Sequence, residues 1–240
     1  MRFSTQMNRV ATYAATLAVT FLMAAQSMAE LKASKAEVRR VNGDATQMKP
    51  GGTSWEKLKV GDKLAQGTAI KTSSDGVVDL YLGANGPVTR INPNSIVKID
   101  KLMSEQTPSG PVIDTQIDVK AGNVIGQVNK LAGASKYQVK TATGVAGIRG
   151  TIYSVYANGM VYVTEGTVDV IYKGVKYEVK AGYAFIPNAD GNGGQVVKMT
   201  QAAIDEVNRG VPKITPTNSD DKSEVNLTPE IPLSGGVGTK

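Results

Sequence analysis

Residues 158–182 read NGMVYVTEGTVDVIYKGVKYEVKAG. Gly159, Gly166, Gly174 and Gly182 fall seven or eight residues apart, and they punctuate the short runs MVYVT, TVDVIY and VKYEV. β-Branched and aromatic residues lose side-chain freedom on a helix but fit a pleated surface. The stretch therefore predicts short strands joined by glycine turns, with Asn158-Gly159 as the strongest two-residue hairpin signal.

The pattern continues upstream. IDTQIDVK at 113–120 sets Ile113, Thr115, Ile117 and Val119 on one face and Asp114, Gln116, Asp118 and Lys120 on the other, the alternation of a half-buried strand. VVDLYL at 77–82 opposes Val78, Leu80 and Leu82 to Asp79 and Tyr81. No helical pattern of crossover length separates these runs, which excludes a parallel α/β fold. GTAIKTSSDGVVDLYLG at 67–83 also aligns without gaps on GTIYSVYANGMVYVTEG at 150–166, which raises a strand-turn-strand repeat. The expected class is all-β, with short strands stacked in a solenoid-like or sandwich-like arrangement over residues 30–197.

The ends of the chain differ in composition. Residues 1–29 carry Arg2 and Arg9 without an acid, then an apolar run, then Ser27-Met28-Ala29, the layout of a signal peptide cut before Glu30. The run from Val10 to Ala25 is shorter than the ~20 residues of a spanning helix, so the mature chain is expected to be periplasmic or secreted and not membrane-spanning. Setting the leader aside leaves 25 basic and 21 acidic residues, a net charge of +4. These bases are scattered and aromatics are few, which argues against nucleic acid as a partner. Absence of cysteine excludes disulfides and lipid attachment. Within 198–210, TQAAIDEVNR predicts one short helix with Ala203, Ile204 and Val207 inward and Gly210 as a stop. Residues 211–240 are rich in Pro, Ser, Thr and Gly without an apolar period, which predicts a disordered tail.

The blocks VGDKLAQGTAIKTSSDGVVDLYLG, INPNS, VKAGNVIGQV, YQVKTATGVAGIRGTIYSVY and VTEGTVDV, in this order over about residues 38–185, resemble the FecR domain of bacterial envelope proteins. Gly61, Asp62, Gly67, Thr68, Gly76, Gly147, Arg149, Gly150, Thr151 and Gly166 are its motif positions here and are expected to be structural. The resemblance implies a β-rich, solenoid-like fold. FecR-type regulators receive a signal from an outer-membrane transducer and control a sigma factor through a cytoplasmic N-terminal domain. At most nine residues precede the apolar run here, too few to fold, so the transmembrane relay is not expected to carry over.

Candidate chemistry is sparse. With no histidine, a Ser-His-Asp triad and most zinc sites are excluded. Asp79, Asp100, Glu165 and Asp169 lie in alternating runs or turns, where solvated surface acids are expected, and NADGNGG at 188–194 offers only Asp190 as a charged ligand. No metal or cofactor is expected. Arg149 in GIRGT has two readings: an anion receptor that the flanking glycines let a ligand approach, or a clamp crossing an end of the β-core to bond unpaired carbonyls. The clamp is preferred. Trp55, the only tryptophan, is expected to pack at an edge with Leu58, Val60 and Leu64 rather than to stack on a sugar. The favoured function is a non-enzymatic binding or scaffolding module for an envelope protein or cell-surface polymer. The alternative is a carbohydrate-active enzyme with paired carboxylates in a cleft.

Overall fold

The computed structural model describes residues 31–85 and 88–214. The predicted leader, and the tail beyond residue 214, lie outside these residues. The chain begins with β1 (Lys32–Ala33), β2 (Lys35–Asn42), β3 (Ala45–Met48), β4 (Glu56–Lys57), β5 (Lys63–Ala65), β6 (Ala69–Thr72) and β7 (Val77–Tyr81). It continues through β8 (Val88–Ile91), the long hairpin of β9 (Ile96–Thr107) and β10 (Gly110–Ala121), then β11 (Asn123–Gln127), β12 (Lys136–Lys140) and β13 (Gly144–Ile148). Last come β14 (Ile152–Tyr156), β15 (Val161–Glu165), β16 (Thr167–Tyr172), β17 (Val175–Lys180), β18 (Tyr183–Pro187), β19 (Gly194–Lys198) and a helix, α1 (Gln201–Gly210).

These strands form two sheets. The first runs β17-β16-β13-β12-β10-β9-β6-β3-β4, with β1 beside β9, and the second runs β19-β18-β15-β14-β11-β8-β7-β2-β5. Both orders advance together, because the chain lays strands in one sheet, crosses to the other and returns a step further on. Where it lays only β11 in the second sheet between β10 and β12, the flanking strands end up parallel. All other pairs among the described residues are antiparallel. The predicted all-β class therefore takes the form of a two-sheet stack that progresses like a solenoid.

Alternation decides what lies between the sheets. Ile113, Thr115, Ile117 and Val119 are buried, as are Val78, Leu80 and Leu82 and, from the opening stretch, Val161, Val163, Val168, Val170, Tyr172 and Val179. Their apolar members form one continuous core cluster, each fully buried aliphatic contributing about 1.5–3 kcal/mol. A polar chain crosses this core: Tyr153 donates to the Tyr137 hydroxyl at 3.1 Å, and Thr89 lies 3.3 Å from the same oxygen. Gly126 makes room for it, since a Cβ there would stand 2.5 Å from the Tyr153 hydroxyl.

Two turn readings need correction. Asn158-Gly159 is part of a three-residue loop, with Tyr156 N–H donating to Met160 O at 2.9 Å and only Gly159 at positive φ, +93°. Asn158 is not at positive φ, and its Oδ1 accepts from Met160 N–H at 3.1 Å. The two-residue turn with both central residues at positive φ falls instead at Lys173-Gly174, between the paired Tyr172 and Val175. The proposed repeat also dissolves. β14 and β15 pair within one sheet, whereas β6 and β7 belong to different sheets. Ser73 N–H and its hydroxyl both donate to Asp44 O, so residues 67–83 turn a corner from one sheet to the other.

The outer faces differ. The first sheet carries a line of ion pairs: Lys98 and Lys140 on Asp100, Lys120 on Asp118 and Lys101 on Asp114, all at 3.1 Å or less. On the second sheet α1 packs through Val207, Ala203 and Ile204 against Ile125, Ala184, Ile152, Tyr162 and Val197. Thr200 caps the helix by accepting from Ala203 N–H. The segment after it does not leave the surface at residue 211 as expected: Val211 joins the apolar cluster and Pro212 is buried. Gly210, the last helical residue, seats against the Ile125 side chain, and Val211 after it takes the extended conformation that ends the helix.

Candidate functional site

A cleft of about 580 Å³ opens where the ends of β11, β13 and β14 meet those of β15, β16 and β17. Gly147, Arg149, Gly150, Thr151 and Gly166, all motif positions of the sequence, line it. Gly150 and Gly166 shape its wall. Both have positive φ, and a Cβ on Gly166 would collide with the Gly150 carbonyl, so these two turns can nest only without side chains.

Arg149 is exposed, which overturns the clamp. Along β13, Ala146 and Ile148 point into the core, and the period of two then turns Arg149 outward. It makes no ion pair among the described residues, and neither does Lys130 across the cleft. Thr151, beside it, is 1% exposed, and its hydroxyl oxygen has no hydrogen-bond partner. The remaining cleft charges are Glu165, Asp169 and Glu178. Asp169 holds Lys176 at 3.0 Å and Glu178 holds Lys180 at 3.2 Å.

This cleft does gather carboxylates, as the enzyme alternative asks. Glycoside hydrolysis, however, needs one of them kept protonated by apolar surroundings. Glu178, with its side chain 55% exposed and a lysine beside it, has the opposite environment.

Other sequence candidates lie elsewhere. Trp55 does not pack as expected: it is 41% exposed and Val60 62%, while Leu58 and Leu64 are buried. It belongs to the turn before β4, at the far end of the stack from Arg149. Asp62, in the Gly61 turn, accepts from Lys59 N–H and Gln47 Nε2. Thr68 is buried, Gly67 takes positive φ, and Gly76 sits against the Asp44 carbonyl. Asp79 is not a solvated acid. It is 3% exposed and gripped by both prongs of Arg90, at 2.6 and 2.7 Å, because β7 and β8 place the two opposite each other. The 188–194 loop is a turn closed by its own amides, with Asp190 accepting from Asn192 N–H.

Lys130 and Glu178 join the cleft without any prior signal, since NKLAGASK reads only as loop and Glu178 as one polar position of an alternating strand. A second group missed in sequence gathers under α1. Burial pushes the Tyr156 hydroxyl pKa up, with Tyr162 and Glu206 adding to the shift and Ser154 opposing it.

With this geometry in view, residues 68–169 match the family model described as FecR protein. The matched segment includes Gly147, Arg149, Gly150, Thr151 and Gly166 of the cleft. Two crystal structures of a proposed anti-sigma factor from Parabacteroides distasonis are similar to it at 14% and 16% identity, both with a TM-score of 0.43. Each comparison covers 55% of this chain and 58% of that one, so the chain spans somewhat over half the length of those structures. No curated protein matches.

Proposed function

We propose that this chain is an exported, non-enzymatic binding module of the bacterial envelope that takes a carboxylate-bearing segment of a protein partner into the Arg149 cleft. The observation that carries this reading is an arginine and a lysine without ion pairs among the described residues, in a cleft where two of the three acids, Asp169 and Glu178, already hold other lysines. A guanidinium offers paired donors that match a carboxylate, and the buried Thr151 hydroxyl has acceptor and donor capacity to spare. The FecR domain supports a regulatory role in the envelope. Export is supported by the leader-like residues 1–29.

Two measurements test it. Fusing residues 1–29 to alkaline phosphatase should give activity only if the segment directs export, and an inactive fusion would remove the envelope from the proposal. A photo-crosslinking residue at Asn129 in the expressing bacterium should trap a protein adduct. Arg149→Glu, an exposed change, should abolish it without lowering the melting temperature. An adduct that persists in the variant would overturn the cleft as the docking site.

A further inference from the structure

A second cleft, of about 320 Å³, lies on the outer face of the second sheet beside α1. Asn123 and Tyr156 are cross-strand neighbours there, as are Ser154 and Tyr162, so the pleat brings two rings, an amide and a hydroxyl to one floor. Glu206 on the helix forms one wall and Asn92, after β8, the other. The rings of Tyr156 and Tyr162 meet edge-to-face with centroids 5.6 Å apart, and in such a pair one ring keeps both faces clear of its partner. Asn123 Nδ2 donates to Ser154 Oγ at 3.3 Å, which leaves the amide oxygen as an acceptor. The Asn92 amide makes no side-chain hydrogen bond, and Glu206 no ion pair, among the described residues.

An aromatic face beside unspent amide donors and acceptors is matched by a molecule with an apolar CH face and a rim of hydroxyls that both donate and accept. A pyranose ring has this form. Glu206 is the single charged group lining the cleft, so phosphorylated or acidic sugars would be repelled, and the volume admits about one or two rings. We propose that this cleft binds a neutral sugar, as a free saccharide or the end of a glycan, independently of the Arg149 cleft.

The test is titration of the isotope-labelled full chain with methyl glucoside, methyl galactoside, methyl mannoside and N-acetylglucosamine, followed by amide and side-chain NMR shifts. At least one sugar should give saturable shifts centred on Asn92, Asn123 and Tyr156. Asn92→Ala and Glu206→Gln, both surface changes, should each weaken it roughly tenfold, the worth of one ligand hydrogen bond, while Arg149→Glu leaves it unchanged. No saturable shift with any of the four sugars would overturn the proposal. So would equal affinity in both cleft variants, or shifts centred on the Arg149 cleft.

Discussion

Arg149 follows Ile148 by one position, and strand parity alone carries its side chain to the solvent side of the first sheet. Replacing it should therefore be cheap. Arg149→Met is expected to leave the urea midpoint of unfolding within the range of ordinary surface changes, about 0.5 kcal/mol, and a loss of 2 kcal/mol or more would restore the clamp. The same parity is readable in VAGIRGT, although a run of small and apolar residues reads equally as core. Asp79 is the converse case. Its outward parity was legible, yet its burial depended on Arg90 being opposite it in the next strand, and cross-strand register is not written in either segment alone. Asp100 permits a pH prediction. Burial works to raise its carboxyl, but hydrogen bonds and attraction from Lys140 and Lys98 outweigh this and hold it below the ordinary 3.8. A depressed acid contributes stability above its unfolded value and loses it as pH falls through the folded one. Urea midpoints should thus fall on acidification below about pH 4, and Asp100→Asn should flatten that limb. An identical acid limb in the variant would assign the loss to other carboxylates.

At the scale of elements, α1 and the four residues after it act as one cover for the apolar outer face of the second sheet. Thr164 hydroxyl donates to Asn208 Oδ1 at 2.6 Å, and Val211 and Pro212 extend the seal beyond the last helical turn. A chain ending at Ile214 should keep the full melting temperature, whereas one ending at Gly210 should melt several degrees lower, since an apolar contact worth about 1 kcal/mol moves a domain of this size by a few degrees. Equal melting of the two truncations would mean that residues 211–214 contribute nothing. The helix itself was plain in TQAAIDEVNR, from its capping threonine to its apolar spacing. Its continuation was not, because VPKI is too short to show a period and its partners, Val88 and Ile152, lie far back in the chain.

Across the whole molecule, class and core were legible because nearly every inward position obeys a period of two, from Val78 to Val179. The assignment of strands to sheets was not. Hairpin β14–β15 and corner β6–β7 share a pattern of Gly-Thr, strand, turn and strand, and what distinguishes the corner is the bonding of Ser73 to Asp44, a residue outside either pattern. Likewise the Arg149 cleft collects residues from six strands, so its motif glycines could be recognised but not its lysine. The paired advance of the two sheets also governs how the molecule would bear load. Among the described residues β16 to β19 pair only with strands from β13 onward, while the pairing of β1 with β9 spans a long stretch of sequence at the other end. Tension applied to the C-terminal side would peel α1 and β19, then β18 and β17, in short successive steps, each exposing a fresh pair of edges. A partner gripping that end could lengthen the chain by a few strands while the rest of the stack, including β2 to β10, stayed closed.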